Sequence, residues 1–162
     1  MSGRELIRPA TDAAALVAAR ALFEEYAAGL GVDLCFQGFA EEVATLPGAY
    51  APPRGRLLLA GDPTAPTGCI ALRPLPADDG GTTTAEIKRL YVRPAARGTG
   101  LGGALARAIL AEARAIGYRE VKLDTLPQMA AAQALYASLG FRPCEAYYRN
   151  PLGGTVYMAL AL

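Results

Sequence analysis

A glycine-rich loop at residues 97–103 constrains the fold and function of this chain more than any other segment. Its sequence is Arg97-Gly98-Thr99-Gly100-Leu101-Gly102-Gly103. Glycine has no side chain, so the backbone of such a loop can approach a ligand closely. Residues 101–116 repeat apolar side chains at helical spacing, which predicts a helix directly after the loop. The unpaired amides and the dipole at the start of that helix favour a bound anion, above all a phosphate.

The rest of the sequence predicts a mixed α/β sheet protein in a single domain over residues 1–162. Apolar alternation and turn residues predict seven strands, at residues 6–8, 56–60, 67–72, 82–92, 120–124, 141–148 and 155–160. Helical spacing predicts four helices: one capped by Thr11 or Asp12 and stopped by Gly29 and Gly31, and others at residues 39–46, 100–116 and 129–139.

Composition excludes several classes of function. The net charge is +1, which gives no electrostatic reason to expect nucleic acid or an anionic membrane as a partner. No apolar run approaches the ~20 residues of a membrane span. Histidine is absent and the three cysteines are far apart, which argues against a metal site and against a cysteine–histidine nucleophile pair. We therefore expect a soluble cytoplasmic protein without a metal.

The same glycines also fit the dinucleotide fingerprint G-x-G-x-x-G, and an acid, Asp124, follows Gly103 by 21 residues. Two features make this interpretation the weaker one. The fingerprint should follow a strand immediately, but residues 93–97 intervene. A parallel strand buried on both faces should be almost wholly apolar, but the strand at residues 82–92 carries charged residues.

A second segment supports a different assignment. Arg97, Gly100 and Gly102 match a signature that consists of Arg or Gln, any two residues, Gly, any one residue, and then Gly or Ala. Farther along the chain, residues 132–141 read AQALYASLGF, and Tyr136 in this segment lies 34 residues beyond Gly102. Together these two segments resemble the GNAT superfamily of acyl-CoA-dependent N-acetyltransferases. One position departs from the pattern, because Met129 stands where many members of that family have Asn.

The resemblance implies a mostly antiparallel sheet that splays between its fourth and fifth strands and is flanked by about four helices. It also implies acetyl-CoA as cosubstrate and, from the family alone, a possible homodimer. The implied cofactor-binding residues are the backbone of Leu90, Tyr91 and Val92, beside the pantetheine arm, and the amides of Arg97, Gly98, Thr99, Gly100, Leu101, Gly102 and Gly103, around the pyrophosphate.

The implied reaction is direct attack of an amine on the acetyl thioester, without a covalent enzyme intermediate. A free alkyl amine has a pKa of about 10, so it arrives protonated and a base must remove that proton. We predict Glu86 as that base, acting through water, with pairing to an arginine as the equal alternative. Tyr136 is predicted to protonate the leaving thiolate, and its alternative role is to fill the core.

The acceptor is predicted to be a small amine, held by the first two helices and the last strands. Candidate pocket residues are Tyr50, Tyr147, Tyr148 and Asn150, and candidate cation-attracting acids are Asp33, Glu41 and Glu42. Two other functions stay open: a non-catalytic module that binds acyl-CoA, and a nucleotide-dependent oxidoreductase.

Overall fold

A computed structural model describes residues 6–76 and 81–162. Its strands are β1 (Ile7–Pro9), β2 (Arg56–Asp62), β3 (Ala65–Pro74), β4 (Thr84–Val92), β5 (Glu120–Thr125), β6 (Arg142–Pro143) and β7 (Val156–Ala161). Its α-helices are α1 (Ala13–Leu30), α2 (Phe39–Ala44), α3 (Leu101–Ile116) and α4 (Ala130–Ser138). The predicted order of strands and helices is confirmed, and none of the helices in these ranges is long and apolar enough to cross a bilayer.

The strands form one seven-stranded sheet in the order β1-β2-β3-β4-β5-β7-β6. Among the described residues, β4 and β5 form the one parallel pair, and it covers only Thr84–Glu86 against Glu120–Lys122. Beyond that pair the two strands separate, so the predicted splay is confirmed. The dinucleotide interpretation required a parallel sheet and finds no support in this topology.

The strands separate next to a bulge in β4. Ala71 of β3 pairs with Lys88 and Cys69 pairs with Tyr91, so one extra residue of β4 is accommodated between them. Arg89 lies in this bulge with φ 62°, in the left-handed region that is costly for a residue other than glycine. Glu42 of α2 accepts two hydrogen bonds from the Arg89 guanidinium, at 2.8 and 3.0 Å, and thereby ties α2 to the bulge.

Both faces of the sheet are buried, which explains the apolar character of the central strands. In β2, Leu57 and Leu59 pack with α1, while Leu58 and Ala60 pack with α3. This alternation follows from the two-residue period of a strand. The α1–α2 core is separated by the sheet from the α3–α4 core, and the splay between β4 and β5 opens an access route into the interior.

The predicted strand at residues 141–148 is wrong for most of its length. The described strand there, β6, covers only Arg142–Pro143, and residues 144–155 contain no strand. Pro143 removes one ladder donor, and the next polar side chains bond elsewhere. The hydroxyls of Tyr147 and Tyr148 donate to Glu86 and Asp124, both at 2.5 Å, and so hold this segment across the open end of the splay.

Candidate functional site

The glycine loop has the geometry of an anion cradle. Gly98 and Gly100 adopt φ of 77° and 84°, where a side chain would be strained. Gly100 is the N-cap of α3, and no side chain caps the helix. The Thr99 hydroxyl donates to the Ala96 carbonyl at 2.6 Å and thus bonds within the loop. The first amides of α3 are therefore left for a ligand.

A groove of about 470 Å³ runs from this loop along the edge of β4. Five of the residues predicted to bind the cofactor line it: Leu90, Tyr91, Val92, Arg97 and Gly102. The facing wall comes from the start of α4 and the end of α1. Arg97 at the mouth donates to the Val92 carbonyl at 2.9 Å, and its guanidinium lies 5.7 Å from the centre of the Tyr91 ring.

A smaller cavity, of about 40 Å³, adjoins the groove inside the splay. The two spaces share the lining residues Tyr26, Leu30, Leu90, Met129 and Ala132. A void of this size accommodates a few water molecules or a small polar group. Met129 lines both spaces. An apolar thioether therefore stands where many members of the resembled family carry the side-chain amide of Asn.

The small cavity has a polar wall made by side chains from separate segments. The Lys88 ammonium donates to the Gln37 side-chain carbonyl at 3.2 Å and lies 3.5 Å from the Asp124 carboxylate. The Lys88 and Asp124 side chains are only 5% and 10% exposed. Asn150 donates to the Tyr148 hydroxyl at 2.9 Å, which in turn donates to Asp124. All but Tyr148 also line the cavity.

Burial shifts the ionisation of this wall. It lowers the pKa of Lys88, and the nearby Glu86 and Asp124 carboxylates oppose that shift. Burial also raises the pKa of Tyr148, as does its hydrogen bond to Asp124. Tyr148 therefore remains a neutral donor that holds one carboxylate oxygen of Asp124.

Sequence analysis missed Gln37 and Lys88 as members of this wall, and it considered Asp124 only as a possible ribose ligand. No local motif contains these three residues, since they come from the α1–α2 connection, β4 and β5. The sequence held one weak signal for the wall: the two charged residues Lys88 and Asp124 lie in the predicted strands at residues 82–92 and 120–124. Charged side chains in such positions need a buried partner or a ligand.

Tyr136 lies on α4 and lines the small cavity. Its side chain is buried, and its ring meets the Phe141 ring edge-on at 5.4 Å. Burial raises the pKa of the Tyr136 hydroxyl, so the hydroxyl keeps its proton at neutral pH. A protonated hydroxyl beside the cavity is able to donate that proton, and its role as the thiolate's acid stays a prediction.

Glu86 is almost completely buried and lies outside both described spaces, although a base must reach the amine directly or through water. It is 1% exposed and is not among the residues that line either space. One carboxylate oxygen accepts from Arg73 at 2.8 Å and the other from Tyr147. The arginine pairing considered for Glu86 is thus present, while its role as the base stays a prediction.

The acceptor candidates divide into two groups. Tyr148 and Asn150 belong to the network at the small cavity. Tyr50 is wrongly predicted: it is 2% exposed, packs against Phe23 in the α1 core and lines neither described space. Among the acids considered, Glu42 binds Arg89. Neither Asp33 nor Glu41 lines the described spaces.

Metal-ligating side chains do not cluster in groups of three or more within residues 6–76 and 81–162.

Comparison with known proteins shows similarity in sequence and in fold. Residues 19–141 match the model of the acetyltransferase (GNAT) family. An uncharacterised N-acetyltransferase of Schizosaccharomyces pombe is 41% identical over 142 residues, which cover 87% of this chain and 85% of that protein. An acetyltransferase structure from Streptococcus agalactiae has a TM-score of 0.77 at 21% identity and covers 100% of both chains. A Salmonella typhimurium structure with its cofactor acetyl-CoA has a TM-score of 0.73 at 24% identity, covering 98% of this chain and 94% of that one. On these findings, the chain belongs to the GNAT family of acetyltransferases.

Proposed function

We propose that this protein transfers the acetyl group of acetyl-CoA to the amine of a small molecule, by direct attack and without a covalent enzyme intermediate. The observation that carries this proposal is the junction of the two spaces. The groove beside the glycine loop adjoins a small cavity with a polar wall, and five residues line both spaces. A coenzyme arm in the groove therefore brings its thioester to the polar wall.

The coenzyme half of the proposal rests on backbone groups. The amides at the start of α3, with Gly98 and Gly100 in left-handed conformations, suit a pyrophosphate. The edge of β4 from Leu90 to Val92 no longer pairs with β5, which leaves it to pair with pantetheine amides. The Val92 carbonyl on this edge accepts a hydrogen bond from the Arg97 side chain. The Salmonella relative, whose structure contains acetyl-CoA, supports the same choice of coenzyme.

The chemical half requires two proton transfers. The amine must lose a proton before its nitrogen attacks the thioester carbon, and the sulfur must gain one as the carbon–sulfur bond breaks. We assign the second transfer to the Tyr136 hydroxyl. For the first, Asp124 is the carboxylate that lines the cavity, whereas Glu86 lies behind Tyr147 and can act only through a relay.

Direct attack is supported by the positions of the cysteines. Cys69 is fully buried, its thiol donates to the Arg89 carbonyl at 3.3 Å, and burial raises its pKa to about 12. None of Cys35, Cys69 and Cys144 lines either described space. A thiol nucleophile that would take the acetyl group before the amine does is therefore not positioned for it.

The test combines coenzyme binding with thiol release. Acetyl-CoA should raise the thermal unfolding midpoint, because at 100 times Kd a ligand adds about 2.7 kcal/mol to the stability of the folded state. A panel of small amines with a free-thiol readout should then give amine-dependent CoA release. Failure of acetyl-CoA to bind would contradict the proposal, and binding without thiol release for any amine would favour the non-catalytic acyl-CoA module.

A further inference from the structure

We infer that the acceptor carries a carboxylate close to its amine, and that it binds by inserting between Lys88 and Asp124. This inference rests on the proposed function, because it concerns the acceptor of that same reaction. The substrate class is a small amino acid or a related zwitterion. Asp124 receives the ammonium group, and Lys88 receives the carboxylate.

The Lys88–Asp124 pair differs from the other strongly buried pair near it. Arg89 and Glu42 share two hydrogen bonds of 2.8 and 3.0 Å, with side chains 2% and 13% exposed. Lys88 and Asp124 are similarly buried, at 5% and 10%, but their single contact is 3.5 Å. That distance is beyond the usual 2.7–3.2 Å of an N–H···O hydrogen bond. The pair that lies against the cavity is therefore a loose one.

The charges around the cavity favour a zwitterion over a simple amine. Arg89 is bound by Glu42, and Glu86 by Arg73, so neither is available to compensate a new charge. A lone ammonium that captured Asp124 would leave Lys88 charged and buried without its partner, which is strongly unfavourable. A zwitterion replaces each partner with an equivalent one, and the site stays neutral.

Other polar groups on the cavity wall lack strong partners. The Thr125 hydroxyl is buried, belongs to a residue that lines the cavity, and has no hydrogen-bond partner among the described residues. Within residues 6–76 and 81–162, the partner of the Gln37 amide nitrogen is the Tyr148 hydroxyl, at a long 3.4 Å. A carboxylate beside Lys88 accepts from such donors, which a plain alkyl amine cannot do.

The proton balance of the reaction is consistent with this placement. Asp124 takes one proton from the bound ammonium, after which the nitrogen attacks the thioester carbon. As the carbon–sulfur bond breaks, Tyr136 gives its proton to sulfur and the nitrogen gives up its second proton, which passes through water and restores the Tyr136 hydroxyl. The proton held by Asp124 is released to solvent, so the reaction releases one proton in all. Lys88 keeps its proton throughout and holds the carboxylate, so it acts as a binding and specificity residue.

The experiment compares acids with their amides, which have nearly the same size and shape but lack the negative charge of the carboxylate. The probes are the L-α-amino acids, the unbranched ω-amino acids of two to six carbons, and the corresponding amides, with acetyl-CoA and a free-thiol readout. Conversion to an α-amide also lowers the pKa of the amine and so raises the neutral fraction. A preference for the acid form must therefore come from the site.

We expect at least one acid to be acetylated with a kcat/KM about 10–100 times that of its amide, the range expected for one hydrogen bond to a charged group. The same acid, but not its amide, should raise the thermal midpoint of the CoA-saturated protein. Lys88→Met should abolish both preferences while acetyl-CoA still binds. Lys122→Met is the control, since Lys122 is the chain's other lysine, is half-buried with Glu120 at 3.8 Å, and lines neither described space.

Three results would overturn the inference: amides used as well as acids, an acid preference that survives in Lys88→Met, or no turnover of any probe by a preparation that binds acetyl-CoA. The wild-type comparison of acid with amide decides the matter even if Lys88→Met fails to fold. Loss of acetyl-CoA binding in the wild type is a separate outcome, and it would contradict the proposed function itself.

Discussion

The groove beside the glycine loop, where we propose the coenzyme binds, and the small cavity, where we propose the acceptor binds, adjoin each other but are built in different ways. We call them the coenzyme groove and the acceptor cavity. The groove takes its main features from one continuous segment, β4 with the loop to α3, and presents backbone amides. The cavity wall takes single side chains from several distant segments, among them Gln37, Lys88, Asp124 and Asn150. Under the proposed function, the coenzyme would be held by backbone groups and the acceptor by side chains that can be substituted one at a time.

The two regions also differ in their electrostatics. The cradle at Gly98–Gly103 offers partial charges from amides, which need no compensating partner in the empty protein. The cavity wall holds full charges in low-dielectric surroundings, where each must be paired. Substitutions at the acceptor end should therefore have larger consequences for catalysis and stability than substitutions at the coenzyme end.

The largest effect is expected from Asp124→Asn. If Asp124 removes the amine proton, its loss should lower kcat/KM by about 10²–10⁴-fold, the usual contribution of proton transfer. Glu86→Gln should lower it less, because Glu86 does not line the cavity. Acetyl-CoA affinity, measured by calorimetry, should stay the same in both variants. A larger loss in Glu86→Gln would return the role of base to Glu86.

Stability at the acceptor end can be tested with Glu42→Gln. The variant leaves the buried Arg89 charge without its anionic partner, which we expect to lower the free energy of unfolding by about 3 kcal/mol. Denaturant titration measures this loss. Glu24→Gln is the control: Glu24 is exposed on α1, and a change of no more than about 0.5 kcal/mol is expected there. Equal small losses in the two variants would mean that the Arg89–Glu42 pair does not hold the bulge.

Tyr136→Phe tests the junction between the two regions. Removal of the hydroxyl should lower kcat by about 10²-fold, since the thiolate then leaves without a positioned acid. Acetyl-CoA affinity should not change, because the ring still packs against Phe141. Tyr118→Phe is a matched control, because Tyr118 is also a buried tyrosine, but its hydroxyl donates to the Arg54 carbonyl and it lines neither described space. Unchanged turnover in Tyr136→Phe would leave Tyr136 as a core residue.

The smallest effect is expected at the coenzyme end, from Gly100→Ala. Alanine at φ 84° is strained by roughly 1–2 kcal/mol. A loop that shifts to relieve this strain no longer presents its amides as one cradle, so acetyl-CoA should bind about tenfold more weakly, with kcat at saturation little changed. Gly153→Ala, in an open turn where an added Cβ meets nothing within 4 Å, should have no effect. A loss of kcat larger than the loss of affinity would contradict the proposed division of labour.

The contrast between the regions also explains what the sequence could predict. The glycine loop and the order of strands and helices depend on local patterns and on a contiguous motif, and sequence analysis located them correctly. The splay was implied by the family resemblance, and the structure confirms it. The pairing of Lys88 with Asp124 depends on two strands that are 36 residues apart meeting at the splay. The 141–148 segment was assigned as strand because its apolar and aromatic residues favour strands, but tertiary contacts of Tyr147 and Tyr148 override that local preference.

The bulge at Arg89 has one more consequence for the acceptor cavity. In a regular strand, neighbouring side chains point to opposite sides of the sheet, yet Lys88, Arg89 and Leu90 all line the same small space. The bulge thus places successive residues of one strand at the cavity, among them the cation Lys88 and the apolar Leu90, while the Arg89 guanidinium is held by Glu42. An insertion or deletion in this stretch would change the side-chain directions of Lys88, Arg89 and Leu90 together. We therefore expect acceptor specificity to change through single substitutions in β4, and not through a change in the length of the strand.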